Sequence, residues 1–332
     1  MFDPDSFSSA LAAPMIRYLQ NKQALGSQYT KECYTLRNLD RFLARSESID
    51  LTEAVFLSWC DTQRHVASGV RRNNMRIVRN FCLYRRRTRP DCYVPETSLF
   101  PPEHQRRSAY IFSEPQIARL LEESQRLYRV KHSPLRPEAM RLAITLLYCA
   151  GLRLGELLRL EVQDYEPKER LLCIRASKYH KSRQLPLSAD ATAEVERYLA
   201  IRSSLSEPMG KTPKLLWNGS KQADGYGRRH FRITMWQLLD RAGIRTTDGR
   251  RPTIHSLRHT FAVHALLRWY RSGIQVQSKL PQLATYMGHV SIASTQTYLH
   301  FVGELMSVAS DRFEARSAKF LDMHTRSEEG RS

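Results

Sequence analysis

The sequence contains no long apolar stretch, and none approaches the roughly 18 consecutive apolar residues that a membrane-spanning helix needs. The N-terminal segment, MFDPDSFSS, is acidic and lacks the basic start and apolar core of a secretory signal. There is also no C-x-x-C pair among the scattered cysteines, which favours reduced thiols over a disulfide or zinc framework. We therefore expect a cytoplasmic protein with no membrane segment and no metal ion.

Acidic residues are scarce: 33 Asp and Glu stand against 52 Lys and Arg, giving a net charge of +19. Such a charge predicts a polyanionic partner, and nucleic acid fits better than an anionic membrane surface. The segment from Thr62 to Pro90 has no acidic residue at all. A charge run is often only a solvated helix face, but this one would repel itself unless an anion covers it. We expect duplex phosphates to be bound by its arginines, namely Arg64, Arg71, Arg72, Arg76, Arg79, Arg85, Arg86 and Arg87.

The length of 332 residues is sufficient for two domains. Residues 1–90 are predicted to form a small helical domain, because apolar residues recur at helical spacing between about residues 14 and 88. A linker is then predicted over residues 91–110, because four prolines interrupt regular structure there and just before it, at Pro90, Pro95, Pro101 and Pro102. A larger domain is expected over residues 111–323, followed by a polar tail at 324–332.

The larger domain reads as mostly helical. Ser113 and Gln116 have the spacing of a capping box at a helix start. Two short strands, Leu171–Ser177 and Gln184–Leu187, flank a basic turn. Helices are predicted over residues 137–160 with a break at Gly151, and over 189–205, 228–242, 253–271, 280–287 and 303–320. The predicted fold class is therefore mainly α with a small antiparallel β-sheet.

Several basic residues lie in patterns that suit phosphate chemistry. Arg153 follows the Gly151 break and opens a helix, where free N–H groups already favour an anion, although an ion pair with Glu156 is the ordinary alternative. His255 and Arg258 are three residues apart and so share one helix face. His255 and His259 also have zinc-ligand spacing, but no third ligand is suitably placed.

Two further segments carry candidate reactive groups. Lys178 lies in the predicted turn between the strands, with Lys181 and Arg183 beside it, and a solvated basic turn is the alternative interpretation. The segment HVSIASTQTY contains His289 and Tyr298. A phenol with a pKa of about 10 is a poor nucleophile at neutral pH. It becomes effective where cations hold a phosphodiester beside it and neutralise the charge of the transition state.

These motifs, in this order, resemble those of the tyrosine recombinase (phage integrase) family. They read GLRxGE, K-x-x-K-x-R-x-x-P-L, H-x-L-R-H, G-H and a terminal Tyr, and they cover roughly residues 110 to 310. The arginine-rich N-terminal region resembles the core-binding domain of that family. The resemblance implies a helical core-binding domain joined to a mixed α+β catalytic domain of tyrosine-recombinase type.

The resemblance also implies roles for the candidate residues. Arg153 and Arg258 would clamp the scissile phosphate, His289 would hydrogen-bond to it, and Glu156 would support the site without reacting.

The remaining implied roles concern the proton and the nucleophile. His255 would act in proton transfer, Lys178 would protonate the leaving 5′ oxygen, and Tyr298 would attack to form a 3′-phosphotyrosyl bond. Because the protein ester stores the energy of the phosphodiester, no cofactor is expected. The implied partners are double-stranded DNA, three further subunits in a homotetramer on paired sites, and accessory DNA-bending or directionality proteins. The implied location is the nucleoid.

Two other functions are compatible with the same residues. A type IB topoisomerase would use the same nucleophile but reseal the same strand. A non-catalytic DNA-binding protein could share the fold, although every reactive position here is filled. The interpretation we favour is a site-specific recombinase that integrates, excises, transposes or resolves DNA.

Overall fold

A computed structural model describes residues 3–25, 29–102, 109–130, 133–175, 182–205, 214–218, 225–289 and 291–301. The chain divides into two compact units, residues 1–107 and 108–332, each with its own hydrophobic core. Lys178, Lys181, the predicted helix at 303–320 and the tail lie outside the described residues. Within the described ranges, no helix has the length and apolar character needed to cross a membrane.

The first unit is helical, as its periodicity predicts, and its described residues contain four α-helices. They are α1 (Ala12–Ala24), α2 (Thr30–Arg45), α3 (Glu53–Asp61) and α4 (Ser68–Arg85). The apolar stripe of α2 is fully buried at Leu36, Leu39 and Leu43. Phe56 and Trp59 of α3 are buried in the same core.

The arginine-rich segment has acidic partners that come from outside it. Asp50, in the connection before α3, forms an ion pair of 2.7 Å with Arg85, whose side chain is only 3% exposed. Arg85, which we predict as a DNA contact from the sequence, therefore has its guanidinium buried inside the unit. Asp61, just before the segment, pairs with Arg64 at 2.9 Å, although both side chains stay exposed.

Two other arginines of α4 bind backbone carbonyls of the proline-containing segment. Arg79 donates to the carbonyl oxygen of Pro95 at 2.7 Å, and Arg72 donates to that of Pro101 at 2.6 Å. These bonds hold residues 95–101 along the first unit, and Phe100 is buried in its core. Arg76, Arg86 and Arg87 remain exposed.

The second unit combines helices with a small sheet, which confirms the predicted fold class. The strands are β1 (Tyr165–Glu166), β2 (Leu171–Ile174) and β3 (Arg183–Pro186). All are antiparallel in the order β1-β2-β3. The helices are α5 (Glu114–Gln125), α6 (Arg136–Cys149), α7 (Leu154–Leu157), α8 (Ala189–Ser204), α9 (Arg228–Arg241), α10 (His255–Arg271), α11 (Val276–Met287) and α12 (Ala293–Gln296).

Local signals account for several of these boundaries. The capping box at the start of α5 is confirmed, with Ser113 and Gln116 each bonding to the backbone of the other. Gly151 separates α6 from α7 and has a φ of 58°, a left-handed conformation that favours glycine. A side chain there would also collide with the ring of Phe261 on α10. The glycine thus lets α10 approach the start of α7, where Arg153 lies.

Candidate active site

Arg153 caps the short helix α7 and reaches toward the end of α11. Its backbone N–H donates to Glu156 Oε2 at 3.0 Å, and its Nη1 donates to Glu156 Oε1 at 2.7 Å. Its Nη2 donates to the carbonyl oxygen of Gly288 at 2.8 Å. The ion pair between Arg153 and Glu156, the ordinary alternative for this arginine, is therefore present. It orients the guanidinium within the cluster.

Arg258 comes from the buried face of α10 and lies against the same segment. Its side chain is 1% exposed, an unusual burial for a guanidinium. Nη1 donates to the carbonyl oxygen of Gly151 at 2.6 Å, and Nη2 donates to that of Met287 at 2.7 Å. Arginines from two different helices thus bind adjacent carbonyl oxygens at the end of α11.

Glu156 is the acidic centre of this cluster. It is 3% exposed and bonds to Arg153, while Arg258 Nη1 lies 4.0 Å from its Oε2. Burial raises the pKa of Glu156, but hydrogen bonds from Arg183 and Arg153 outweigh burial and lower the pKa to about 2. The carboxylate is therefore ionised at neutral pH and offsets one of the surrounding positive charges.

Arg183 lies inside this cluster, although we predicted it as a DNA contact. Its guanidinium holds both oxygens of Glu156, with Nη2 at 3.0 Å from Oε2 and Nη1 at 3.2 Å from Oε1. Its Nε donates to the carbonyl oxygen of Tyr286 at 2.8 Å, and the side chain is only 10% exposed. Arg183 therefore orients the site from within. Its position at the start of β3, opposite Ile174, brings it there.

The turn after α11 requires glycine. Gly288 caps the helix in the left-handed conformation, with a φ of 68°. A Cβ at this position would lie 2.7 Å from Nη1 of Arg183. The turn directs the next residue, His289, into the cluster, where its Nδ1 is hydrogen-bonded to Thr295 Oγ1 at 2.7 Å. Thr295 is fully buried and fixes this imidazole, a contact that sequence reasoning missed.

Tyr298 follows the short helix α12 and is buried, with 4% of its surface exposed. Its hydroxyl is hydrogen-bonded to Nδ1 of His259 at 2.9 Å. Its ring is nearly parallel to that of His289, with centroids 6.3 Å apart. Burial raises the pKa of Tyr298, while Arg258 and Arg153 act to lower it, so both guanidinium groups act on the phenol.

The electrostatics of the site favour an anionic ligand. Three guanidinium groups surround one carboxylate among these described side chains, which leaves an excess of two positive charges. The pKa of Arg258 falls to about 9 because it is buried and because Arg153 repels its charge. The pKa of His289 falls to about 4, first because it is buried and then because Arg258 and Arg153 repel a positive charge on it. The negative charge of a bound phosphate would offset this repulsion between the positive groups.

His255 and His259 adjoin the arginines on α10. Their rings meet edge to face with centroids 4.5 Å apart. Burial, followed by the charges of Arg258 and Arg153, lowers the pKa of His255. His264, farther along the helix, is instead hydrogen-bonded to the hydroxyl of Tyr148 at 3.0 Å. The structure thus brings together five of the six predicted catalytic residues, and the sixth, Lys178, lies outside the described residues.

A basic cavity that sequence reasoning missed opens beside His255. It encloses about 720 Å³. Arg251 lies over the ring of Trp236, 5.7 Å from its centroid, and also pairs with Asp240 at 2.7 Å. The cavity is lined by further arginines, namely Arg232, Arg245 and Arg250. The run GRRP at 249–252 is a signal for this surface that the sequence contains.

Comparison with known proteins shows to which family the chain belongs. The model of the phage integrase family matches residues 111–303. The candidate integrase/recombinase y4rB of Sinorhizobium fredii (strain NBRC 101917 / NGR234) is 31% identical over 301 residues, which are 90% of this chain and 95% of y4rB. The tyrosine recombinase XerA of Thermococcus kodakarensis (strain ATCC BAA-918 / JCM 12380 / KOD1) is 30% identical over 172 residues, covering 52% of this chain and 54% of XerA.

A solved structure supports the fold. The site-specific recombinase XerH, crystallised with its palindromic difH substrate after cleavage, has a TM-score of 0.61. The similarity covers 85% of this chain and 78% of XerH at 17% identity, so it supports the fold alone. The family match extends over more than half of the chain, and y4rB is similar over nearly its whole length. The chain therefore belongs to the phage integrase family, whose members include the tyrosine recombinases.

Proposed function

We propose that this protein is a site-specific DNA recombinase that cuts and rejoins strands through a 3′-phosphotyrosyl intermediate. The observation that supports this proposal most strongly is the burial of the Tyr298 hydroxyl in a cluster where Arg153 and Arg258 both act on its charge. The palindromic difH substrate bound to the site-specific recombinase XerH supports duplex DNA as the substrate of this protein.

The two arginines would bind the scissile phosphate. A guanidinium has five N–H donors, and the two carbonyl bonds of Arg258 use only part of this capacity. Donors held in place before the substrate arrives stabilise transition-state charge without reorganising. His289 would add a hydrogen bond to the phosphate, since Thr295 already holds its ring. Glu156 would keep the arginines in position.

The reaction would begin when the Tyr298 oxygen attacks phosphorus. The bond from phosphorus to the 5′ oxygen breaks, the strand's 3′ phosphate becomes esterified to Tyr298, and the leaving oxygen takes a proton from Lys178. His255 would act in proton transfer. Attack by the 5′ hydroxyl of another strand reverses these steps and completes the exchange. No nucleotide or metal is needed, because the ester conserves the energy of the original bond.

We further propose that recombination takes place in a homotetramer on two DNA sites, within the cytoplasm and on the nucleoid. Residues 303–320 would supply the helix that docks on a neighbouring subunit, since Leu305, Val308, Phe313 and Phe320 form an apolar side at helical spacing. Accessory DNA-bending or directionality proteins would complete the assembly.

The function can be tested with nicked duplexes taken from DNA that flanks the gene. The nick lies a few nucleotides beyond the cleavage point, so the short 5′-hydroxyl fragment diffuses away and the covalent intermediate accumulates. We expect an adduct of protein and DNA that survives boiling in SDS, in which the protein is joined to the 3′ phosphate at the break. Paired intact sites should then yield recombinant products.

Two results would contradict the proposal. Relaxation of supercoiled DNA without exchange between paired sites would favour a type IB topoisomerase. Tight duplex binding with no adduct on any flanking site would favour a non-catalytic DNA-binding protein.

DNA binding by the first unit makes a separate prediction. We propose that the exposed arginines that follow α4, Arg86 and Arg87, contact phosphates. Each phosphate contact contributes about 0.9 to the slope of log affinity against log salt. The variant Arg86→Ala/Arg87→Ala should therefore bind duplex DNA more weakly at low salt, with a salt slope reduced by about 2. Fluorescence anisotropy across a salt series measures both effects.

A matched control removes the same charge elsewhere. Arg119 and Arg126 are exposed on and just after α5, and Arg119→Ala/Arg126→Ala should leave the salt slope nearly unchanged. If both double variants lowered the slope equally, binding would depend on total charge and the assignment to Arg86 and Arg87 would be wrong.

A further inference from the structure

The hydrogen bond between His259 and Tyr298 has no part in holding a phosphate. It joins the Tyr298 hydroxyl to His259 Nδ1 at 2.9 Å, between side chains 39 residues apart in sequence. A buried phenol hydroxyl needs a partner, so the bond could simply satisfy it. The hydroxyl oxygen is, however, the atom that must lose its proton when Tyr298 attacks, and His259 is the residue that touches it.

The surroundings of His259 keep its imidazole neutral. A proton on His259 is disfavoured by His255 and Arg258 on its own helix and by His289 from the turn after α11. Burial first, and then these groups, lower the pKa of His259 to about 4. A neutral imidazole has one ring nitrogen with a free lone pair. Since the phenol keeps its proton at neutral pH, its hydroxyl can donate to that nitrogen, which is the starting geometry for proton transfer.

We propose, on the basis of the proposed function, that His259 is a further catalytic residue that accepts the proton of Tyr298 during attack. As the bond from the tyrosine oxygen to phosphorus forms and the bond to the 5′ oxygen breaks, the phenol proton passes to Nδ1 of His259. The leaving oxygen takes its own proton from the separate general acid. On religation, His259 returns its proton to the tyrosine oxygen as the ester is cleaved, so both groups regain their initial states.

A second histidine on α10 provides a matched control. His264 is hydrogen-bonded through Nδ1 to the hydroxyl of Tyr148 at 3.0 Å, the same pair of groups in a similar, partly buried setting. Its tyrosine lies on α6 and is not the proposed nucleophile. His264→Asn therefore reproduces the structural change without touching the reacting oxygen.

The test compares two substitutions of His259 on a nicked duplex with which the unmodified protein forms its adduct. In His259→Asn, the amide oxygen can still accept the hydrogen bond but cannot take up a proton. In His259→Phe, both abilities are lost. At saturating enzyme, we expect both variants to form the adduct about 10²-fold or more slowly, as for loss of a general base. His264→Asn should retain a rate within about threefold of the unmodified protein, because His264 does not contact the reacting oxygen and so cannot act as its general base.

The pH dependence gives a second readout that a purely structural function would not change. Without an internal acceptor, Tyr298 must lose its proton to water or hydroxide, so the rate of His259→Asn should rise tenfold per pH unit between about pH 7 and 9. Its defect should therefore shrink as pH rises.

A substrate with a 5′-sulfur leaving group, which needs no protonation, should leave the defect of His259→Asn unchanged.

The outcomes separate this inference from the proposed function. If the unmodified protein forms adduct and His259→Asn forms it equally fast, His259 only holds the hydroxyl and the inference is wrong, while the recombinase assignment stands. A pH-independent defect in His259→Asn would also overturn the inference. Thermal melting and binding to an uncleavable duplex confirm that each variant is folded, and a variant that fails either test is replaced by His259→Gln.

Discussion

Replacing Tyr298 with phenylalanine should abolish the covalent adduct with DNA and leave duplex affinity within about twofold of the original. The substitution removes one oxygen and keeps the ring that packs beside His289. Its structural cost is the lost hydrogen bond to His259, which is worth about 1 kcal/mol of folding free energy. Because the missing oxygen is the proposed nucleophile, the variant cannot form the phosphotyrosyl ester. Denaturing gels of the nicked-duplex reaction measure the adduct, and anisotropy measures affinity.

Tyr148→Phe is the matched control for this experiment. It also removes a phenol oxygen, here on a half-buried tyrosine, that is hydrogen-bonded to a histidine of α10. It should retain adduct formation, with a similar small loss of stability. A denaturant-resistant adduct formed by Tyr298→Phe would show that another residue attacks, and it would remove the main support for the proposed mechanism.

Features that depend on short stretches of sequence could be predicted well. The capping box of Ser113 and Gln116 satisfies its own backbone groups, so four consecutive residues of sequence are enough to recognise it. Gly151 and Gly288 mark turns because their backbone conformations exclude most other residues. The predicted start of α11 at Leu280 is too late, because the helix begins at Val276. Its interior contains Pro281, a residue that usually disfavours a helix at that position.

Features that depend on contacts between distant residues could not be predicted in this way. The lack of acidic residues in its own segment predicts Arg85 as a DNA contact, but Asp50 binds it from another part of the fold. Arg183 looked like part of a solvated turn, yet it binds Glu156 across 27 residues of sequence. Nothing in the spacing of His259 and Tyr298 indicates that their side chains meet. Motif order predicts which residues belong to the site, and only the fold shows which of them touch.

The arginines provide the second prediction of large effect, since cleavage and affinity should respond differently to their loss. Arg153→Ala should slow adduct formation by about 10² to 10³-fold, the range for losing one donor to transition-state charge. Affinity for the uncleaved duplex should fall by less than about fivefold, because many phosphate contacts share the binding energy. The single-turnover rate of adduct formation and the dissociation constant, measured on the same duplex, give the comparison.

Arg258 requires a gentler substitution, because its guanidinium is buried and binds two carbonyl oxygens. Arg258→Ala would leave these oxygens without partners and open a cavity, so a lost rate could reflect a damaged fold. Arg258→Lys keeps the charge and loses the planar fork. If Arg258 stabilises the transition state by bidentate donation, the lysine variant should still cleave at least about 10²-fold more slowly while melting near the original temperature. Equal losses of rate and affinity in Arg153→Ala and Arg258→Lys would mean that these arginines only hold DNA. The cluster around Glu156 would then be a binding site and not a catalytic one.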